Sequence, residues 1–529
     1  MATETIKRKP IDISVKGNFS GKDPFTAKLV AEFTNAAGEK MIIPGFYYGD
    51  NEWRVRFSST DEGEWKYCIK SSDIVFEGDT EGTVCVSGEN EELTHALQVS
   101  GTRFVDDEGN AVFLLGYECN FLFSLVGSPE GHHKLEVFVD NLKKGGFNQV
   151  QVNSYAVDTS WAQGRSYPND YGPPYIEMWN KTEDGLVLNP EYFKEYDYMV
   201  SYLHANGIYA SIYLRVYNKY VEWPARYSPE DITYYQHFAA RYQAYPNVVW
   251  SISKEAYYET DREYLFKMSS MVREMDAYHR SMTIHDGLQY ALDPKYSDTV
   301  DFLTLQQHGE WGHCCLYYTE RTGKPVIIGE SGQEQGPNGV LDTLCFRCWS
   351  PEHFCANAYT TFFGGGYFQY YSVYTAWDVI EYDYVPTGYR YFRQMREFLS
   401  QYDISKLKTV PEICPIGGAA HALDDGESTI LIYIEPSMPE YERYLCYNLE
   451  NVIMHPCDSG RKFKSYKQFG ILSGKYYDYE PQYPDNNSSC GYFVKENVTH
   501  AEALRSSVLI QGNIHEPVVV IIEYEKVED

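Results

Sequence analysis

The chain has 529 residues, 43% of them apolar and 23% charged, which is more than one hydrophobic core organises, so two or three globular domains are expected. No apolar run approaches the roughly 20 residues that span a bilayer. With 45 basic against 75 acidic residues the formal charge is −30, which argues against nucleic acid and anionic membrane as partners.

The first residues, Met1 to Lys9, carry basic side chains but no apolar stretch behind them, so a cytoplasmic location is expected. The 12 cysteines follow no regular spacing and Cys314 and Cys315 are adjacent; free thiols are expected rather than a disulfide framework. Cys345 and Cys348 with His353 and Cys355 have a zinc-like spacing but no second Cys pair, and His313 with Cys314 and Cys315 lacks a spaced carboxylate or second His. Buried thiols on a helix are therefore preferred, with no metal and no cofactor.

From residue 1 to 95 apolar and polar residues alternate, as in Trp53 to Phe57 and Glu64 to Ile69, with turn clusters such as Ser58 to Gly63 between them. This is the pattern of an N-terminal β-sandwich. Residues 96 to 405 then alternate short apolar strands with helical segments. Strands are read at Val112–Gly116, Phe147–Val152, Ile208–Leu214, Val248–Ile252, Thr283–His285, Phe302–Leu305, Val326–Ile328 and Tyr367–Gln369. Asn189 before Pro190 and Ser228 before Pro229 are capped helix starts. Eight such units, with no phosphate-binding glycine loop, predict an α/β protein built on a closed (β/α)8 TIM barrel. Residues 406 to 529, with apolar runs at Ser428–Tyr433 and Val518–Tyr524, predict a C-terminal β domain.

Catalytic groups of such barrels sit where the strands finish. The fourth strand finishes on Glu255 and the seventh on Glu330, 75 residues apart, which would face each other across the barrel mouth. Paired carboxyl groups suit glycoside cleavage, one protonated for the departing oxygen and one ionised for the anomeric carbon. Expected substrate-binding residues are Glu118 after the first strand, Asn153 after the second, Arg215 after the third, Lys254, Asp286, His308, and Tyr371 and Trp377 after the eighth. An ion pair beneath the mouth would explain Glu118, Arg215 and Asp286 as well, and a core histidine would explain His308. The segment from Trp161 to Trp179 holds Tyr167, Tyr171 and Tyr175 and reads as an aromatic platform over the pocket, its alternative being surface packing.

The aromatic strand ending in Glu255, the run Pro325-Val-Ile-Ile-Gly-Glu330, the opening Phe113 to Phe123 and the sandwich motifs Gly45 to Gly49, Trp53 to Ser58 and Glu62 to Trp65 together resemble clan A of the retaining glycoside hydrolases, in particular the apiosidase-like group. That resemblance implies Glu255 as acid/base and Glu330 as nucleophile. Clan A normally has Asn just before the acid/base, where this chain has Lys254. An ammonium donates to a hydroxyl but cannot accept, and it depresses a neighbouring carboxyl. The expected partner is a carbohydrate, in keeping with 16% aromatic residues led by 50 Tyr; oligomeric state, including a homo-oligomer, stays open. The alternatives are a non-catalytic carbohydrate-binding barrel and a barrel enzyme that uses the carboxyl groups for lyase or isomerase chemistry.

Overall fold

A computed structural model of the chain describes residues 3–157, 174–183, 185–219, 221–287, 291–309, 311–336, 348–375, 380–413, 420–434, 451–454, 461–478, 508–511 and 516–525. The central sheet is nearly closed. Its parallel strands, numbered here within the barrel, are β1 (Leu115–Glu118), β2 (Gln149–Asn153), β3 (Tyr209–Val216), β4 (Val248–Lys254), β5 (Met282–Thr283 continuing at His285–Asp286), β6 (Leu303–Gln306), β7 (Val326–Glu330) and β8 (Tyr367–Tyr370). The two halves of β5 flank Ile284, the first paired with β4 and the second with β6. β8 pairs with both β1 and β7, so the ring is continuous except between the two halves of β5.

Each strand is followed by a helix: α1 (Gly131–Gly145), α2 (Pro190–Ala205), α3 (Pro229–Tyr242), α4 (Arg262–Met275), α5 (Pro294–Thr299), α6 (Trp311–Thr322), α7 (Pro351–Phe363) and α8 (Tyr389–Leu399). Local chemistry sets the starts. Asn189 accepts from the Glu191 N–H and Ser228 from the Asp231 N–H, each with proline next in the chain, so an orphan helix N–H is satisfied and φ is preset. The first strand runs three residues later than the sequence suggests at its start. Val112 instead donates its N–H to the Phe104 carbonyl and belongs to a hairpin beneath the barrel. That hairpin places Leu97 and Phe104 against Leu114, Phe302 and Tyr367, which plugs the N-terminal end and leaves the C-terminal end for chemistry.

The barrel interior is unusually polar. The alternation Gln149-Val-Gln-Val-Asn153 puts Val150 and Val152 among the apolar side chains under the helices, whereas Tyr213 Oη donates to Gln151 Oε1 at 2.5 Å and Gln369 Nε2 to Gln149 Oε1. Such pairing offsets part of the cost of burying amides.

Ahead of the barrel, five- and four-stranded sheets sandwich Val15, Phe33, Trp53, Phe57, Trp65 and Val84. The burial of Ile11–Phe19 alternates along the strand, as one packed face demands. This sandwich docks on the barrel through Arg56, which pairs with Asp12 (2.7 Å) and with Asp197 of α2 (3.0 Å), while Asp197 also holds Arg241 of α3 (2.9 Å). After the barrel, a six-stranded sheet containing Ala420–Asp424, Thr429–Ile434, Lys462–Gly470 and Val518–Glu525 leans on α7. Tyr433 lies 5.5 Å from Tyr359 and 5.7 Å from Phe363, ring centre to ring centre.

Candidate active site

The ends of β1, β4 and β7 meet at the open end of the barrel. Side chains alternate along a strand, so two consecutive residues such as Lys254 and Glu255 would ordinarily face opposite ways. The backbone breaks that rule: Glu255 takes φ +54 and ψ +53, a left-handed conformation that costs a non-glycine residue about 1–3 kcal/mol. Its N–H is then caught by His285 Nδ1 at 3.1 Å and its Oε1 by Asn218 Nδ2 at 2.8 Å.

On β7 the device is a bulge. Gln306 pairs with Glu330 although Leu305 pairs with Ile328, so Gly329 is skipped and the facing of Glu330 is reset. Gly329 is needed there, because a Cβ would lie 2.5 Å from Thr304 Cγ2 and 3.0 Å from His285 Cδ2.

Lys254 joins the carboxyl groups. Its Nζ donates to Glu118 Oε1 at 2.6 Å and to Glu330 Oε2 at 3.0 Å, and it lies 5.5 Å from the centre of the Tyr213 ring. Glu118 also accepts from Asn120 Nδ2 at 2.8 Å. Glu118, Lys254 and Glu255 are all buried, and Glu330 keeps 14% of its side chain exposed.

These contacts divide the carboxyl groups. For Glu255, burial and then the charge of Glu330 push the pKa up to about 7, against the opposing pull of Lys254 and Lys219. Glu118 is likewise raised to about 7 by burial, with Lys254 opposing. Burial acts on Glu330 too, but the charge of Lys254, with His285 and the Lys254 hydrogen bond behind it, wins and holds this carboxyl down to about 2. His285 is lowered to about 3 by burial and by Lys254. It is therefore neutral, and because Nδ1 accepts from Glu255, its proton sits on Nε2.

Unpaired polar atoms ring the same opening. Among the described residues, no hydrogen-bond partner reaches Glu118 Oε2, Asn120 Oδ1, either side-chain atom of Asn153, Asn218 Oδ1, Lys219 Nζ or His285 Nε2. Buried polar groups in folded proteins are mostly paired, and a mixed set of donors and acceptors is what the hydroxyls of a sugar require.

The structure thus brings Glu118, Lys254, Glu255 and Glu330 into one cluster, with Asn153 buried at the end of the adjoining β2 and Asp286 buried at the end of β5. His308 follows β6, and its charge helps depress Glu330. Tyr371 is buried after β8 and its carbonyl accepts from the Glu334 N–H. Arg215 is not brought into the cluster: its guanidinium reaches the starts of α3 and α4, pairing with Asp231 at 2.9 Å and the Tyr264 hydroxyl at 2.6 Å. The Ser228 cap places Asp231 there, and a buried carboxylate outcompetes a distant sugar for the cation.

Trp377, Tyr167, Tyr171 and Cys345 lie outside the described residues. Of the remaining platform residues, Tyr175 is 59% exposed and Trp179 packs 5.6 Å from Tyr234. Cys314, Cys315 and Cys355 are free, buried thiols, and the buried Cys348 thiol donates to Gln333 Oε1 at 3.7 Å. Sequence reading passed over Asn120, Asn218, Lys219 and His285. The first three lie two or three residues beyond β1 or β3, a position that could have singled them out.

A family model described as "Apiosidase-like, catalytic domain" matches residues 100–400, and one described as a domain of unknown function, DUF5060, matches residues 7–72. No curated protein matches the chain. Among solved structures, a putative glycoside hydrolase from Bacteroides vulgatus ATCC 8482 shares the fold with a TM-score of 0.73 at 17% identity, over 99% of this chain and 100% of that one. A family 5 glycoside hydrolase from the same organism gives 0.54 at 14% identity, over 81% and 93%. With a catalytic-domain match over more than half its length, on a barrel shared with glycoside hydrolases, the chain belongs to the apiosidase-like family and is a glycosidase.

Proposed function

We propose that the protein hydrolyses O-glycosidic bonds of oligosaccharides or small glycosides with retention of configuration, with Glu330 as nucleophile and Glu255 as acid/base. One observation carries this reading: neighbouring carboxyl groups have their protonation driven apart, Glu330 down to about 2 and Glu255 up to about 7. Between those values one is ionised and the other holds a proton, which is the division of labour that a two-carboxylate glycosidase needs.

In the first step Glu330 forms a bond to the anomeric carbon as the glycosidic C–O bond breaks, and the Glu255 proton passes to the departing oxygen. In the second, Glu255 takes a proton from water, whose oxygen attacks the anomeric carbon and releases Glu330. Asn218 occupies Oε1 of Glu255, and the Tyr257 hydroxyl also hydrogen-bonds this carboxyl, so both orient the group that transfers the proton. Lys254 spends two of its three N–H donors on Glu118 and Glu330. The third serves the sugar hydroxyl beside the reacting carbon, in place of the Asn amide of clan A.

A panel of aryl glycosides tests the assignment. Glu330→Gln should lower kcat by at least about 10^4 on the best substrate while the protein keeps its fold and still binds the sugar. Unchanged turnover would dismiss Glu330 as nucleophile.

A further inference from the structure

Lys219 stands three residues beyond β3, next to Asn218, which holds Glu255. It is 8% exposed, and its Nζ has neither a hydrogen-bond nor an ion-pair partner among the described residues. Taking an ammonium out of water costs several kcal/mol unless an anion answers it, and a buried lysine normally has such a partner.

The charges that Lys219 feels are those of the cluster itself: Lys254 opposes its protonation, and Glu255, Glu330 and Glu118 favour it. Burial is the largest influence and brings its pKa down to about 8, so it is still charged near neutrality. Near neutrality Glu330 is ionised while Glu118 and Glu255 stand close to their midpoints, so the charges of the cluster about balance, yet none of these carboxyl groups reaches Lys219 Nζ. The contact that this buried ammonium lacks is one to an anion.

Resting on the glycosidase reading above, we propose that Lys219 receives an anionic oxygen group, a carboxylate or a phosphate, carried by the substrate, so that the site selects acidic over neutral glycosides. Asn153 at the end of the neighbouring β2 and Asn218 Oδ1 supply the uncommitted amide atoms that would hold the hydroxyls beside that group. Once bound, the anion pairs with an ammonium already stripped of water, which makes the contact stronger than a surface salt bridge.

The test is titration calorimetry on the Glu330→Gln protein, with sugar acids, sugar 6-phosphates and their neutral parents, with and without Lys219→Met. The expected result is that a sugar acid or a sugar phosphate binds at least about tenfold more tightly than its neutral parent. Lys219→Met should abolish that preference while melting no lower than its parent, because it removes a buried charge without a partner. Uronate preference identifies carboxylate as the source, and 6-phosphate preference identifies phosphate. No acidic ligand preferred over its parent, or a preference that survives Lys219→Met, would overturn the proposal. A lysine-dependent preference in a wild-type protein that cleaves no acidic glycoside would instead keep the anion site and overturn the mechanism assigned to the carboxyl groups.

Discussion

Lys254→Met isolates the feature in which this barrel departs from clan A. The substitution keeps an unbranched apolar stem and removes the ammonium that bridges Glu118 at 2.6 Å and Glu330 at 3.0 Å. Glu330 sits near 2 instead of the usual 4.5; at about 1.4 kcal/mol per pH unit this favours its anion by about 3 kcal/mol. Without the ammonium, burial and the adjacent Glu118 outweigh the weaker pull of His285 and His308, and the Glu330 carboxyl should rise to about 5 to 7, as expected of a buried acid beside another. The acid limb of kcat/KM, set by Glu330, should accordingly move from about 2 up into that interval, and kcat/KM at pH 5 should drop by about two- to a hundredfold. Two carboxyl groups left without a counter-ion also cost folding stability, about 3–5 kcal/mol when both are ionised, and less in acid, where they protonate. The assay is kcat/KM against pH on an activated aryl glycoside, with thermal melting at pH 5 and pH 8 as the control. A folded Lys254→Met enzyme whose acid limb stays where the wild type has it would show that Lys254 does not ionise Glu330, and the electrostatic account of the nucleophile would fail.

Three further outcomes follow from the same contacts. Wild-type kcat/KM should be level through mildly acid pH and fall above about 7, as Glu255 loses its proton; a profile that still rises at pH 9 would contradict its role as acid. Glu255→Ala should slow glycosides with poor leaving groups by at least about 10^3 and activated ones far less, and equal losses would argue against proton donation. Asp197→Asn should destabilise the protein by about 3–5 kcal/mol, because it strands Arg241 and leaves Arg56 with Asp12 alone. The pKa of Asp197 is lowered in the fold, so its contribution is present above the unfolded value near 3.8 and is lost as pH falls below it. A melting difference from wild type that persists undiminished at pH 2 would refute that linkage.

Much of the scaffold was legible because its signals are local. Asn189 and Ser228 cap the helices they precede, and the apolar runs at Val248 and Val326 start strands there. The start of β1 was misplaced because Val112 is apolar enough for a barrel strand, and only its pairing with Phe104, a tertiary matter, assigns it to the hairpin. The carboxyl groups at strand ends could be named from their positions. Their coupling could not: it depends on a left-handed backbone at Glu255, a bulge at Gly329 and a lysine that reaches across the barrel to Glu118. Arg215 stood in the sequence between a sugar ligand and an ion pair, and only the folded chain brings it the helix start that provides Asp231. Lys219 lies in the loop beyond β3, where no motif marks it.

The central claim is that Glu330 attacks the anomeric carbon. Once the aryl-glycoside panel has named the preferred sugar, its 2-deoxy-2-fluoro derivative with an activated leaving group should accumulate as a covalent adduct, and peptide mapping by mass spectrometry locates it. The account predicts one sugar on the peptide containing Glu330. A label on Glu118 or Glu255, or consumption of the reagent without any adduct, would contradict it.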